Sequence, residues 1–155
     1  MIKFANLQQE NVIETPTDYK QLVEVIGDAF VVCDAAGAIT LWNPAAERMF
    51  GFSPAEALGQ SLDLIIPERQ RQRHWDGYHK TMATGQTRYG HDVLRVPALH
   101  KDGRPLSIAF TVAMLHAPDN TVSAIVAVIR DETVRWNEER VMRQRIRELE
   151  AVAPK

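Results

Sequence analysis

The chain has very little cysteine, and this scarcity excludes two kinds of structural support. Of its 155 residues only Cys33 is a cysteine, so neither an intrachain disulfide nor a zinc site built from several cysteines is possible. A chain of this length buries enough apolar surface to fold without such links. The sequence therefore predicts a single domain, with room for a helical extension at each end.

Long apolar segments and a one-sided charge are missing as well. No apolar run approaches the roughly 20 residues that cross a bilayer, and the N-terminus lacks the apolar core of a signal peptide. The formal net charge of −2 provides no attraction for nucleic acid. We therefore expect a cytoplasmic protein with neither a membrane nor a nucleic acid as its partner.

The motifs of common enzyme classes are absent too. The sequence contains no phosphate-binding loop, no HExxH metal-binding motif and nothing that resembles a catalytic triad. Each of these motifs would place catalytic groups or ligands at a fixed spacing along the chain. For this reason we do not expect the protein to be an enzyme.

The pattern of apolar and turn-forming residues predicts an α+β domain. After a flexible N-terminal arm (residues 1–16) we predict a helix at residues 17–27, and then a hairpin formed by "AFVVCD" and "ITLWN". Short helices follow at "PAAERMF" and "SPAEAL", and a longer polar segment begins after Pro67. Three strands ("TRYGHDVLRVPAL", "LSIAFTVAMLH" and "TVSAIVAVIRDE") precede a charged helix at residues 134–155. This order predicts an antiparallel sheet with short helices over one face.

Several segments, taken in this order, resemble a PAS domain, a sensory module common in bacterial signalling proteins. They are "WNPAAERMFGF" followed by "LGQ", the "HKDGRP" turn, and "IRDETVR" at the end of the last strand. The resemblance implies a PAS fold over residues 28–133: a five-stranded antiparallel sheet of order 2-1-5-4-3 whose concave face and short helices enclose a cavity. It also implies that Asp131 and Thr133 couple this domain to the C-terminal helix. These two side chains are equally suited to a simple helix cap.

The middle region resembles more specifically the haem PAS domain of rhizobial oxygen-sensor kinases (FixL-like). That group shows an H-x-x-Y helix, an "ATG"-like end and a strand that runs into "KDG"; this chain has "HWDGYHKTMATG" and the same run. The resemblance implies haem b, held by an axial histidine of the helix. Counting back from Gly85 places the ligand at His74, whereas counting from Tyr78 places it at Trp75.

Helical periodicity leaves two histidines as candidate ligands. At about 100° per residue, Trp75, Tyr78 and Met82 share an apolar face. His79 lies near Trp75 on that face, and His74 lies at its edge beside Tyr78. Either imidazole is suited to ligate a haem iron.

The following strand holds two further positions of interest. His91 is a candidate distal group or a second candidate ligand. The arginine that contacts oxygen in the resembled kinases falls at Leu94, and strand alternation sends the adjacent Arg95 to the opposite face. This departure puts the oxygen chemistry of that group in question for this chain.

The cavity is predicted to hold haem, another small ligand, or nothing, since histidines in such a run are often solvated. Covalent flavin is excluded, because "NPAAERMFGF" stands where photoactive flavin domains carry a cysteine in an "NCRFLQ"-like segment. The side chains expected to line the cavity, or to form a dry core without a ligand, are Phe30, Val32, Trp75, Tyr78, Met82, Leu94, Ile108, Phe110, Val126 and Val128.

The C-terminal helix carries a short apolar stripe. Met142, Ile146, Leu149 and Ala153 follow the spacing of a coiled-coil seam, which is too short to associate by itself. Together with the N-terminal helix it predicts a homodimer; the alternative is a helix folded back on its own sheet. Nothing in this sequence resembles an output domain, so the effector is expected in a longer chain or on a separate protein.

These observations predict a PAS sensor that transmits a signal through flanking helices. Its most specific version is haem-based sensing of O2, CO or NO. The alternatives are a ligand-free dimerisation and interaction module, and a PAS domain that binds a non-haem metabolite.

Overall fold

The structure, a computed structural model, describes residues 16–87 and 90–152. One five-stranded antiparallel sheet forms the frame of the domain, with strand order β2-β1-β5-β4-β3. The elements are α1 (Tyr19–Val25), β1 (Ala29–Asp34), β2 (Ile39–Trp42), α2 (Pro44–Phe50), α3 (Pro54–Ala57), a 3-10 turn (Leu62–Leu64), α4 (Glu68–Thr84), β3 (Leu94–Leu99), β4 (Pro105–His116), β5 (Val122–Asp131) and α5 (Thr133–Val152). The predicted α+β class and strand order are confirmed.

The pairing of β1 with β5 decides which residues of the sheet face the helices. Directly opposite residues of an antiparallel pair point to the same face. The pairs that belong to the buried core cluster define the inner face: Ala29 with Ile129, Val31 with Ala127, and Cys33 with Ile125. The alternating pairs define the outer face, which points away from that cluster: Phe30 with Val128, and Val32 with Val126.

A buried asparagine joins the first elements. Asn43 is 3% exposed and precedes Pro44, the first residue of α2. Its Oδ1 accepts hydrogen bonds from the backbone N–H groups of Phe30 and Ala46, each at 2.9 Å. Its Nδ2 donates to the backbone oxygens of Val23 and Asp28, at 3.0 and 3.1 Å. One side chain therefore caps α2 and ties the end of α1 to the start of β1.

Several predicted boundaries differ from those in the structure. The helix expected at residues 17–27 is α1, which Asp18 caps by accepting from the Gln21 N–H at 3.0 Å. Most of the predicted arm, residues 1–15, lies outside the described residues, as do residues 153–155 of the predicted C-terminal helix. The strand expected to begin near Thr87 begins at Leu94, because a turn at Gly90, with φ 53°, precedes it. Among the helices that the structure describes, none has the length and apolar character to cross a membrane.

Candidate ligand site at the long helix

Three side-chain contacts fix α4 over the turn between β1 and β2 and against the 3-10 turn. The Tyr78 side chain is buried and its hydroxyl donates to the backbone oxygen of Asp34. The Trp75 indole Nε1 donates to Asp63 Oδ1 at 2.9 Å. The same indole covers Gly37, where an added Cβ would lie 2.5 Å from the ring. Aromatic side chains with polar handles therefore hold this helix in place.

His74 and Trp75 lie on opposite flanks of the buried Tyr78. At about 100° per residue, Trp75 lies about 60° to one side of Tyr78 and His74 about 40° to the other. The His74 ring is 4.8 Å from the Trp75 ring and 6.0 Å from the Tyr78 ring, between centroids. Its Nε2 is buried and has no hydrogen-bond partner in the described structure. Such an unpaired buried nitrogen is rare, and in a native protein it calls for an explanation.

Burial also determines the charge of His74. The loss of solvent lowers the pKa of His74 below its usual 6.5, the Asp63 carboxylate opposes this shift, and His79 adds slightly to it. The imidazole is therefore neutral at neutral pH. Neutral imidazole is the form that binds metals and haem iron.

The other predicted histidines are placed differently. His79 is exposed and stacks against Trp75, with the ring centroids 6.0 Å apart. His91 is exposed and lies in the turn before β3, so the interpretation that it sits on a strand is wrong. Neither side chain has the buried, unpaired nitrogen that marks His74.

Part of the predicted lining lies on the inner face of the sheet or packs against the core cluster. Leu94 pairs with Phe110, and the next inner-face pair along these strands contains Ile108, which belongs to the core cluster. Met82 and Trp75 also pack against that cluster.

The predicted lining residues of β1 and β5 lie on the other face of the sheet. Val126 and Val128, like the paired Phe30 and Val32, lie on the outer face. Both strands are apolar on both faces, so the alternation of residue types does not show which side chains face the core. Only the strand register decides this. Ile125, Ala127 and Ile129, which were not predicted, take the inner-face positions of β5.

Other potential ligands near α4 are held in forms that do not bind metals. Burial raises the pKa of Cys33 to about 12, with a smaller contribution from Asp34, so its thiol stays protonated at neutral pH. Burial likewise raises the pKa of Tyr78. Within residues 16–87 and 90–152, no group of three or more His, Cys, Asp or Glu side chains is arranged to hold a metal ion. Haem differs from such a metal ion in that a single axial side chain is enough to hold its iron.

Comparison with known proteins agrees with this architecture. The PAS fold family model matches residues 17–131. The chain belongs to the PAS family. A PAS domain of a protein from Colwellia psychrerythraea is similar in structure, with a TM-score of 0.65, 22% identity, and coverage of 74% of this chain and 94% of that one.

Two curated sensor proteins are similar in sequence to this PAS domain. Sensor protein FixL of Bradyrhizobium diazoefficiens is 38% identical over 80 residues, which cover 48% of this chain and 16% of FixL. Oxygen sensor protein DosP of Escherichia coli is 25% identical over 108 residues, which cover 70% of this chain and 13% of DosP. Each match thus spans less than a fifth of the relative's length. The predicted FixL-like character of the PAS region is confirmed by the match to FixL.

The end of β5, where the chain leaves the PAS sheet, is hydrogen-bonded to the neighbouring strand β4. Asp131 Oδ1 accepts hydrogen bonds from the N–H and the hydroxyl of Thr133, at 2.8 and 2.5 Å. Thr133 Oγ1 accepts from the Ser107 N–H of β4 at 2.9 Å, and the Glu132 N–H donates to the Ser107 oxygen at 2.8 Å. The first residues of α5 are therefore held to β4. The coupling role of Asp131 and Thr133 stays a prediction.

Beyond this attachment, the helix that leaves the PAS domain is exposed. Neither α5 nor α1 has a buried residue. On α5, Met142, Ile146 and Leu149 are 64%, 48% and 66% exposed. The alternative in which the C-terminal helix folds back on its own sheet is therefore wrong.

Proposed function

We propose that this PAS domain is a sensory module that binds haem b with His74 as the axial ligand. The observation that carries the proposal is the buried, unpaired Nε2 of a neutral imidazole on α4. An unpaired buried nitrogen costs roughly 1–3 kcal/mol, and a bond to iron would remove this cost. The resemblance of the α4 region to haem PAS domains supports the same ligand.

The surroundings of His74 suit an apolar guest with a metal centre. When bound, the haem iron would supply a site for O2, CO or NO. Leu94, Ile108 and Phe110 would present apolar side chains on the inner face. Trp75 and Met82 now pack against the core cluster, so these side chains would move outward to admit the group. Leu94 offers no hydrogen-bond donor where the resembled kinases have an arginine.

The test is reconstitution of the purified protein with haem. We expect a Soret absorbance band from the wild type and from His79→Ala, the matched control, and loss of the band in His74→Ala. Circular dichroism and melting temperature verify that both variants are folded. A band lost only in His79→Ala would transfer the ligand role to that residue. A colourless wild type would leave the other two functions, which mass spectrometry of the denatured protein would separate by revealing any bound metabolite.

We also propose that the domain works as a homodimer through α1 and α5. The exposed stripe of Met142, Ile146 and Leu149 needs a partner, since a helix of this kind gains most of its stability from packing. In a parallel, in-register pair these residues occupy the seam of a coiled coil. The flanking positions then bring Glu138 to Arg143 and Arg145 to Glu150 of the other copy, and both contacts join opposite charges.

Sedimentation velocity tests the dimer. We expect the wild type to sediment as a dimer, and Leu149→Glu to sediment as a monomer because it places a charge in the seam. Asn137→Glu is the matched control: it adds the same charge at a position opposite the seam and should leave the dimer intact. A monomeric wild type, or equal effects of the two variants, would contradict the proposed interface.

A further inference from the structure

A carboxylate next to the sheet exit bridges α5 to the edge strand of the sheet. The Glu132 side chain is 17% exposed. It accepts a hydrogen bond at 3.0 Å from Nε of Arg95, on β3, and one at 3.1 Å from Nη1 of Arg135, in the first turn of α5. We call these three residues the Glu132 clamp. The clamp attaches the start of α5 to a second strand, two positions away from β5.

The clamp is separate from the attachment at Thr133. Thr133 Oγ1 accepts from the Ser107 N–H of β4 and the Glu132 backbone N–H donates to the Ser107 oxygen, and these two bonds fix where the helix begins. A single point of attachment leaves the helix free to change its direction, whereas a second attachment on another strand restricts it. Charge-assisted hydrogen bonds from two guanidinium groups to one carboxylate are suited to this task.

The clamp also begins next to the candidate ligand site. Leu94 and Arg95 are neighbours on β3, and strand alternation puts Leu94 on the inner face and Arg95 on the outer face. A movement of the β3 backbone at Leu94 must therefore move Arg95. Along α5 the charges continue, since Arg135 contacts Glu139 at 2.9 Å and Glu139 contacts Arg143 at 2.9 Å.

We propose that the Glu132 clamp sets the direction of α5 relative to the sheet, so that β3 controls the output helix. Arg95 and Glu132 are positioning residues in this device. It does not depend on haem or on dimerisation, because every contact lies within one chain. Since Arg95 and Arg135 are exposed, the clamp should weaken as ionic strength rises.

Distance measurement between two spin labels tests the proposal on the haem-free protein. Labels at Ala113→Cys on β4 and Gln144→Cys on α5 report the direction of the helix, since both positions are exposed. Cys33 is buried and its thiol stays protonated, so it should not react with the label. Dilution with unlabelled protein removes distances between copies.

We expect a narrow distance distribution that broadens in Glu132→Gln and in Arg95→Gln. The double variant should be no broader than either single one, because the two residues act through one contact. Arg147→Gln, which removes an exposed charge whose hydrogen bond stays within α5, is the control and should leave the distribution narrow. High salt should broaden the wild type and leave Glu132→Gln unchanged.

Hydrogen exchange at the start of α5 gives a second readout. The Trp136 N–H donates to the Glu132 backbone oxygen at 2.8 Å and belongs to the first turn of the helix. We expect its exchange to speed up about twofold to fivefold in Arg95→Gln, the range typical of a partly exposed ion pair. A narrow distribution in both single variants, or broadening in Glu132→Gln alone, would overturn the proposal.

Discussion

Helices α4 and α5 have similar composition but opposite relations to the sheet. Both are long, charged and amphipathic, with 17 and 20 residues. Helix α4 buries Tyr78 and packs Trp75 and Met82 against the core, whereas α5 buries no residue. An apolar stripe therefore shows that a helix needs a partner, but not which surface that partner provides.

The two helices should therefore respond differently to loss of an aromatic side chain. Tyr78→Ala removes a buried ring and its hydrogen bond, and we expect the free energy of unfolding to fall by about 3–5 kcal/mol. Trp136→Ala on α5 is the matched change; this residue is 48% exposed and its ring contacts Arg140, so we expect a loss of no more than about 1 kcal/mol. Urea denaturation measures the free energy of unfolding of both variants. Equal losses would mean that α4 and α5 do not differ in how their aromatic side chains stabilise the fold.

Gly37 tests how tightly α4 sits on the sheet. In Gly37→Ala the new Cβ would lie 2.5 Å from the Trp75 ring, at a residue whose φ is +86°. Gly59→Ala is the control, because its φ is +79° but no atom lies within 4 Å of the new Cβ. We expect backbone strain of about 1–2 kcal/mol in both variants and an additional loss in Gly37→Ala. Thermal denaturation of the two variants compares their stability losses. An equal loss of stability would mean that the Trp75 side chain moves aside at no cost.

The smallest expected effect concerns the ion pair between the sheet exit and the start of β1. Arg130 holds the Asp28 carboxylate through two contacts, at 3.0 and 2.7 Å. The hydrogen bond from Arg130 lowers the pKa of Asp28 from 3.8, although burial opposes this shift. The pair therefore stabilises the fold above pH 3.8, and this contribution is lost as pH falls through the lowered folded-state pKa.

The variant that tests this ion pair is Asp28→Asn. It should be slightly less stable than the wild type at pH 7, by less than either glycine variant, since exposed pairs contribute little. The difference in melting temperature should shrink on acidification below pH 3.8. A difference that stays constant with pH would mean that the carboxylate charge is not what stabilises the fold.

The α+β class, the order of the elements and the family followed from the sequence alone. Turn signals such as "AAG" and "KDG", the prolines in the first turns of α2 and α3, and the β-rich runs are local features, and local features are what a sequence records directly. That these two segments form the helices α4 and α5 could be predicted for the same reason.

Choices between equivalent faces and partners depended on the tertiary structure. Because β5 is apolar on both faces, only its pairing with β1 shows that Val126 and Val128 point away from the core. Only burial distinguished His74 from His79, which lie on either side of the same helical face. The physical reason is common to both cases: periodicity defines directions around one element, whereas register, burial and solvent access arise only when elements meet.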